Sequence, residues 1–184
     1  PRYAAARIGP GLAGGAVQYA PGAVANRELA EPPAGAGVSP AWDNVLYKSE
    51  SLGYIVATHQ NMGPVGRKTV WTHYHAYADG DPLSRRRELL ETPWESHRDR
   101  VLDDLERALP GVSSSVRRLD VMTWGHGMVR PSPGFMFGKE RAAAALPRGR
   151  IHFGHSDLSG FSLFEEAQYR GVMAAEGVLR GLGR

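Results

Sequence analysis

The chain has 184 residues, 42% of them hydrophobic and 22% charged, which suffices for one domain with a core or for part of a larger protein. It contains no cysteine, which excludes disulfides, thiolate catalysis and Cys-based metal sites. The net charge of +3 comes from scattered arginines, with no nucleic-acid recognition motif beside them, so no nucleic-acid partner is expected. No apolar run approaches the roughly 20 residues of a membrane-spanning helix. No signal peptide is recognisable, and a cytoplasmic location is expected. The first residues, "PRYAAARIG", lack methionine, so the chain is expected to be a piece of something longer.

Residues 1–41 are rich in Gly, Ala and Pro, and "EPPAGAGVSP" (31–40) reads as a loop. "GPGLAG" (Gly9, Gly11, Gly14) matches the dinucleotide pattern G-x-G-x-x-G, whose mechanism needs a strand before, a helix after and an acid about 20 residues on. The few residues before it make no convincing strand, and Pro21 and Gly22 interrupt the helix that should follow. No strand leads clearly to Glu28, the acid near the right distance. The glycines are therefore read as a flexible segment.

From Trp42 the pattern changes. "WDNVLY" and "GYIVATHQ" read as two strands of a hairpin around "KSESL", and "KTVWTHYHAYA" (68–78) as a third strand by its alternation. "TPWESHRDRVLDDLERALPG" reads as a helix. Thr92 is its cap, Pro93 its first residue and Glu95 the partner in a capping box; Leu109-Pro110-Gly111 ends it. Trp94, Val101, Leu105 and Ala108 should form its apolar face. "SVRRLDVMTWGHGMV" (115–129) reads as a strand running into a glycine-flanked bend, followed by a short Ala-rich helix near 140–145. This order predicts a mixed α+β fold with an antiparallel sheet and flanking helices, rather than a regular βαβ repeat.

The closing stretch "RIHFGHSD" carries a short strand at Ile151 and Phe153. Gly154 there allows close backbone approach, and Asp157 lies just past the strand end. A helix follows whose stripe is mostly small: Phe164, Ala167, Gly171, Ala174, Ala175 and Val178. The free N–H groups at its start, near Leu163 and Phe164, are suited to an electron-rich carbonyl or an anion.

The histidines form two suggestive pairs, His73 with His75 and His152 with His155, but no third ligand stands at motif spacing, so no metal is expected. Ser113–Ser115 is no hydrolase signature, because G-x-S-x-G is absent. Trp124 and His126 are read either as a cavity wall with a polar neighbour or as a core tryptophan with a turn histidine.

The closing unit resembles the C-terminal flavin-binding segment of the FAD-dependent amine oxidase and phytoene desaturase-like superfamily. That family carries a pattern like F-A-G-T/S-E/D, a loop, and G-Y-M-E-G-A-x-x-x-G-x-x-A-A. Phe153, Gly154, His155, Ser156 and Asp157 fall on the first part; Gly160, Leu163–Ala167, Gly171, Ala174 and Ala175 fall on the second. His155 and Glu166 stand where the family usually has glycine, and Gly160–Ala167 is two residues longer. "YAPGAVAN", "WDNVLYKSESLGYIVATHQ" and "VMTWGHGMVRPSPG" look like substrate-domain strands of bacterial members, and "VLDDLERALPGV" like the helix before the last of them.

The resemblance implies an FAD cofactor and a small-molecule substrate whose C–N or C–C bond is oxidised by hydride transfer to flavin. Gly154, His155, Ser156, Asp157, Leu163 and Phe164 would contact FAD. Asp157 would bind the ribityl or pyrophosphate region, and the Phe164 N–H would face the pyrimidine edge. Trp124 and His126 would line the substrate pocket. No catalytic residue is implied, because the flavin takes the hydride while the protein supplies orientation and a dry pocket. Residues 1–41 would join to an N-terminal FAD domain that is missing here, 42–147 would form the substrate-binding domain, and 148–184 would supply the last strand and helix of the Rossmann-like FAD-binding domain. The isolated piece is expected to be inactive. Two other readings stay open: a non-catalytic α+β binding module without flavin, and a metal enzyme using the histidines.

Overall fold

The structure, a computed structural model, describes residues 2–9, 17–33, 41–61 and 68–183. Gly11 and Gly14 of the G-x-G-x-x-G match, and 34–40 of the expected loop, lie outside the described residues. The chain forms two compact units: one of Pro21–Gly127, the other of Met128–Arg184 with Pro1–Ala20.

A five-stranded sheet is the frame of the first unit. Its strands are β1 (Gln18–Leu29), β2 (Asp43–Asn44), β3 (Gly53–Val56), β4 (Thr69–Ala76) and β5 (Val116–Arg130), in the order β2-β3-β4-β1-β5. β2 with β3, β3 with β4, and β4 with β1 pair antiparallel; Gly22 stands opposite Ala76 and Leu29 opposite Thr69. The mixed α+β architecture with an antiparallel sheet is thus as the sequence suggested. β1 is the surprise of the residue-level reading, although "YAPGAVAN" looked like a strand by resemblance. Pro21 does not break it, because the pairing with β4 begins at Gly22 and Pro21 contributes its carbonyl to the Tyr77 N–H instead. β5 likewise runs straight through Gly125 and Gly127 where a bend was expected.

The hairpin at β2 and β3 forms, but with shorter strands. Only Asp43–Asn44 pairs, and "ATHQ" winds into a 3₁₀ turn, Ala57–Gln60. Gly53 makes the hairpin possible. Its φ of +90° is left-handed, and a Cβ there would lie 1.9 Å from the Asn44 carbonyl oxygen.

One face of the sheet carries the core. Ala25, Leu29, Tyr54 and Trp71 pack with Val101 and Leu105 of a helix, and Tyr54 stacks on Trp71 at 4.5 Å between ring centroids. The helices are α1 (Arg2–Ala5), α2 (Pro82–Glu91), α3 (Trp94–Ala108), α4 (Val112–Ser115), α5 (Lys139–Ala145) and α6 (Phe164–Gly181). The sequence reading contained no α2. Its start signal is the Asp81–Pro82 pair, with the Asp81 carboxylate accepting from the Ser84 N–H.

α2 also corrects the expected capping box. Thr92 closes α2, its hydroxyl donating to the Glu88 carbonyl at 2.6 Å, so it is not free to cap α3. Pro93 stands at the N-cap of α3, and no side chain caps it. The buried face of α3 is His97, Val101, Asp104 and Leu105, whereas Trp94 and Ala108 are exposed. Two polar side chains occupy the inward stripe that the apolar pattern assigned to its ends.

In the second unit α5 and α6 flank a loop and a 3₁₀ turn, Ser156–Leu158. Arg141 ties this region together by donating to the Met136 and Leu158 carbonyls at 2.6 and 3.0 Å. The strand expected at Ile151 and Phe153 does not form. The segment carries instead an isolated bridge between Arg148 and Ile151.

Candidate functional site

The C-terminal candidates lie along the connection into α6. Gly154 lies against the small-residue stripe. A Cβ on it would stand 3.2 Å from both the Ala174 methyl and the Gly171 Cα, and 3.3 Å from the Arg170 carbonyl oxygen. The close approach anticipated for Gly154 is therefore an approach to α6. Two residues on, the chain tightens into the 3₁₀ turn and carries Asp157 inward, leaving it 8% exposed.

A buried carboxylate needs donors. The Tyr19 hydroxyl supplies one to Asp157 Oδ2, and His155 Nδ1 lies 3.3 Å from the same oxygen. Tyr19 is held in turn by an edge-on contact with Tyr3, 5.3 Å between centroids. Sequence reasoning missed Tyr19 because it sits in the Gly/Ala/Pro-rich segment, 138 positions from its partner.

At the start of α6 the N-cap residue is Leu163, and no side chain caps the helix there. Phe161, Leu163 and Phe164 are exposed beside it, Phe164 by 77%. Ser162 turns inward, its hydroxyl accepting from the Val129 N–H at 2.9 Å. Just beyond Asp157, Ser159 accepts from Arg170 Nε at 2.8 Å, which fastens the turn to the second coil of α6. The junction therefore offers one buried acceptor, uncapped backbone donors and an apolar flank.

Trp124 and His126 belong to the first unit. Arg86 of α2 lies over Gly125, where a Cβ would stand 2.7 Å from its Nε, and Leu119 and Val121 pack with the core. Alternation along β5 then turns Trp124 and His126 to the opposite face. Trp124 is 52% exposed, so it is not a core tryptophan. Burial, reinforced by the Arg86 charge, lowers the His126 pKa.

A second polar cluster lies inside the first unit. Asp104 of α3 accepts from the hydroxyls of Ser49 and Ser51 and from the Arg107 guanidinium, each at 2.6 Å, and stands 3.0 Å from His73 Nε2. Burial alone would raise its pKa, but the bonds from His73, Ser49, Ser51 and Arg107 prevail and bring it to about 2. This is not a nucleophilic triad. Both hydroxyls are committed to the carboxylate, and the other ring nitrogen of His73 has no partner.

Arg27 is buried nearby, its guanidinium unpaired and 5.9 Å from the Trp71 ring centre. Desolvation lowers its pKa to about 10 against the pull of Tyr54 and Asp104. The open depression over this cluster, about 710 Å³, is lined by both signs of charge, among them Lys48, Glu50, Arg100 and Asp103, and so selects no class of ligand. Among the described residues no group of three or more His, Asp or Glu side chains could hold a metal ion, and no helix is long and apolar enough to cross a membrane.

No protein-family model matches the sequence, and no curated protein matches it. Solved structures do. The cyclohexylamine oxidase of Brevibacterium oxydans IH-35A superposes with a TM-score of 0.59 at 13% identity over 91% of this chain. A protein assigned as a protoporphyrinogen oxidase from Exiguobacterium sp. 255-15 superposes with 0.55 at 11% over 93%. The chain spans 37% of the length of each. At these identities the likeness is one of fold: the chain is folded like part of these two oxidases.

Proposed function

We propose that the chain is the C-terminal part of an FAD-dependent, amine oxidase-like oxidoreductase that oxidises a C–N or C–C bond of a small molecule. The observation that carries this reading is the junction at 154–164. A buried carboxylate, Asp157, and the uncapped start of α6 lie six residues apart along one short connection, in a chain folded like part of two oxidases.

The residues fit such a cofactor. Asp157 is an acceptor suited to the hydroxyls of the ribityl or ribose portion. The N–H groups at the start of α6 suit a carbonyl on the pyrimidine edge, and Phe161, Leu163 and Phe164 supply apolar surface for a flat ring. A bound flavin supplies a two-electron acceptor for hydride. The chain's own residues orient and shield. In this reading Gly154, His155, Ser156, Asp157, Leu163 and Phe164 form the flavin-facing edge, and Trp124 and His126 line the substrate side of the sheet.

Residues 42–147 would then serve the substrate and 148–184 the cofactor. The test is the visible spectrum of the protein expressed from the complete open reading frame. Two flavin bands are expected, and a folded, colourless product contradicts the proposal.

A further inference from the structure

We propose that Tyr19 is a positioning residue of this flavin half-site, acting through Asp157; the inference rests on the flavin reading of the junction. The Tyr19 hydroxyl donates to Oδ2 of Asp157, and His155 Nδ1 lies 3.3 Å from the same oxygen without hydrogen-bonding to it. A carboxylate held at one oxygen cannot rotate freely about its Cβ–Cγ bond, so its orientation is set before any ligand arrives. Tyrosine suits this task. Its ring has few rotatable bonds, and here it is seated against Tyr3 at 84° between ring planes. The hydroxyl therefore arrives from a rigid base rather than from a mobile side chain.

Burial makes the grip matter. Asp157 is nearly withdrawn from water, so a lost donor is not replaced at no cost, and the ionised acceptor becomes both less favourable and less well aimed. Tyr19→Phe keeps the ring and its packing on Tyr3 while deleting only the donor. Because Tyr19 acts through Asp157, its contribution to ligand affinity must vanish when Asp157 can no longer serve as the acceptor.

The experiment compares, in the protein expressed from the complete open reading frame, wild type, Tyr19→Phe, Asp157→Ala and the double variant in two measurements. In the first, without flavin, the Asp157 carboxyl ¹³C resonance is expected to move in Tyr19→Phe and to stay in place in a control at the exposed Tyr47, Tyr47→Leu. In the second, FAD affinity is followed by flavin fluorescence. Tyr19→Phe should weaken binding about tenfold, the equivalent of one charge-assisted hydrogen bond, and should add nothing in the Asp157→Ala background. An unmoved carboxyl resonance overturns the proposal. So does wild-type affinity in Tyr19→Phe when Asp157→Ala has weakened binding. If Asp157→Ala binds FAD as wild type does, or wild type shows no saturable binding, the flavin reading itself fails.

Discussion

Asp104 accepts hydrogen bonds from four residues drawn from three places: the Ser49–Ser51 loop, strand β4 and its own helix. Removing it strands buried hydroxyls and a buried imidazole at once. Asp104→Ala should therefore lower the unfolding free energy by about 3 kcal/mol, measured by denaturant titration. Its depressed pKa has a definite sign. The stabilisation is fully present above the unfolded value of 3.8 and disappears as pH falls through about 2.

Histidine sets a second window. Burial is the leading cause that lowers the pKa of His73, His75, His97 and His126 from 6.5. The unfolded chain then takes up protons first, so stability should be complete above pH 6.5 and fall as pH drops below it. Thermal melts across this range should show the melting temperature decreasing with acid, and a flat profile would contradict the burial of these rings. None of this was legible beforehand. Asp104 lies on the same helical stripe as Val101, but a charge on an apolar stripe becomes informative only when its partners His73, Ser49 and Ser51, 31 or more positions away, are known.

Among the elements, the helix boundaries show how local signals compete. Thr92 satisfied the consensus for opening α3, yet its hydroxyl closes α2, because the Glu88 carbonyl lies one turn back and needs a donor. Asp81→Ala should accordingly destabilise by about 1 kcal/mol through loss of the α2 cap. α2 itself escaped notice because Arg85–Arg87 interrupts its apolar stripe; only Leu89 is buried. β4 was readable from its alternation, and β5 was read as a strand up to its glycines. β1 was not, because proline and glycine inside a strand argue against one until the pairing register shows them at its edge.

The small-residue stripe of α6 was readable, and its contact proved to be Gly154. Gly154→Val should cost about 1–3 kcal/mol by forcing α6 outward, seen as a lower melting temperature. Gly53→Ala is predicted to cost at least as much, since left-handed backbone and the Asn44 carbonyl both oppose a Cβ there.

Over the whole molecule, composition and pattern indicated the mixed architecture, and the fold of part of two oxidases agrees with it. The sequence also pointed to the C-terminal junction, where Asp157 is buried in a 3₁₀ turn and α6 begins without a side-chain cap. What it did not show was the third participant, Tyr19, since only folding brings a residue from the chain's first twenty to this turn. The most direct test of a flavin-binding junction is an amide NMR titration with FAD of the ¹⁵N-labelled protein expressed from the complete open reading frame. The account predicts saturable shifts concentrated at Gly154–Asp157 and Leu163–Phe164, with the amides around Asp104 unmoved. Shifts centred on the Asp104 cluster, or none at the junction at saturating FAD, would contradict it.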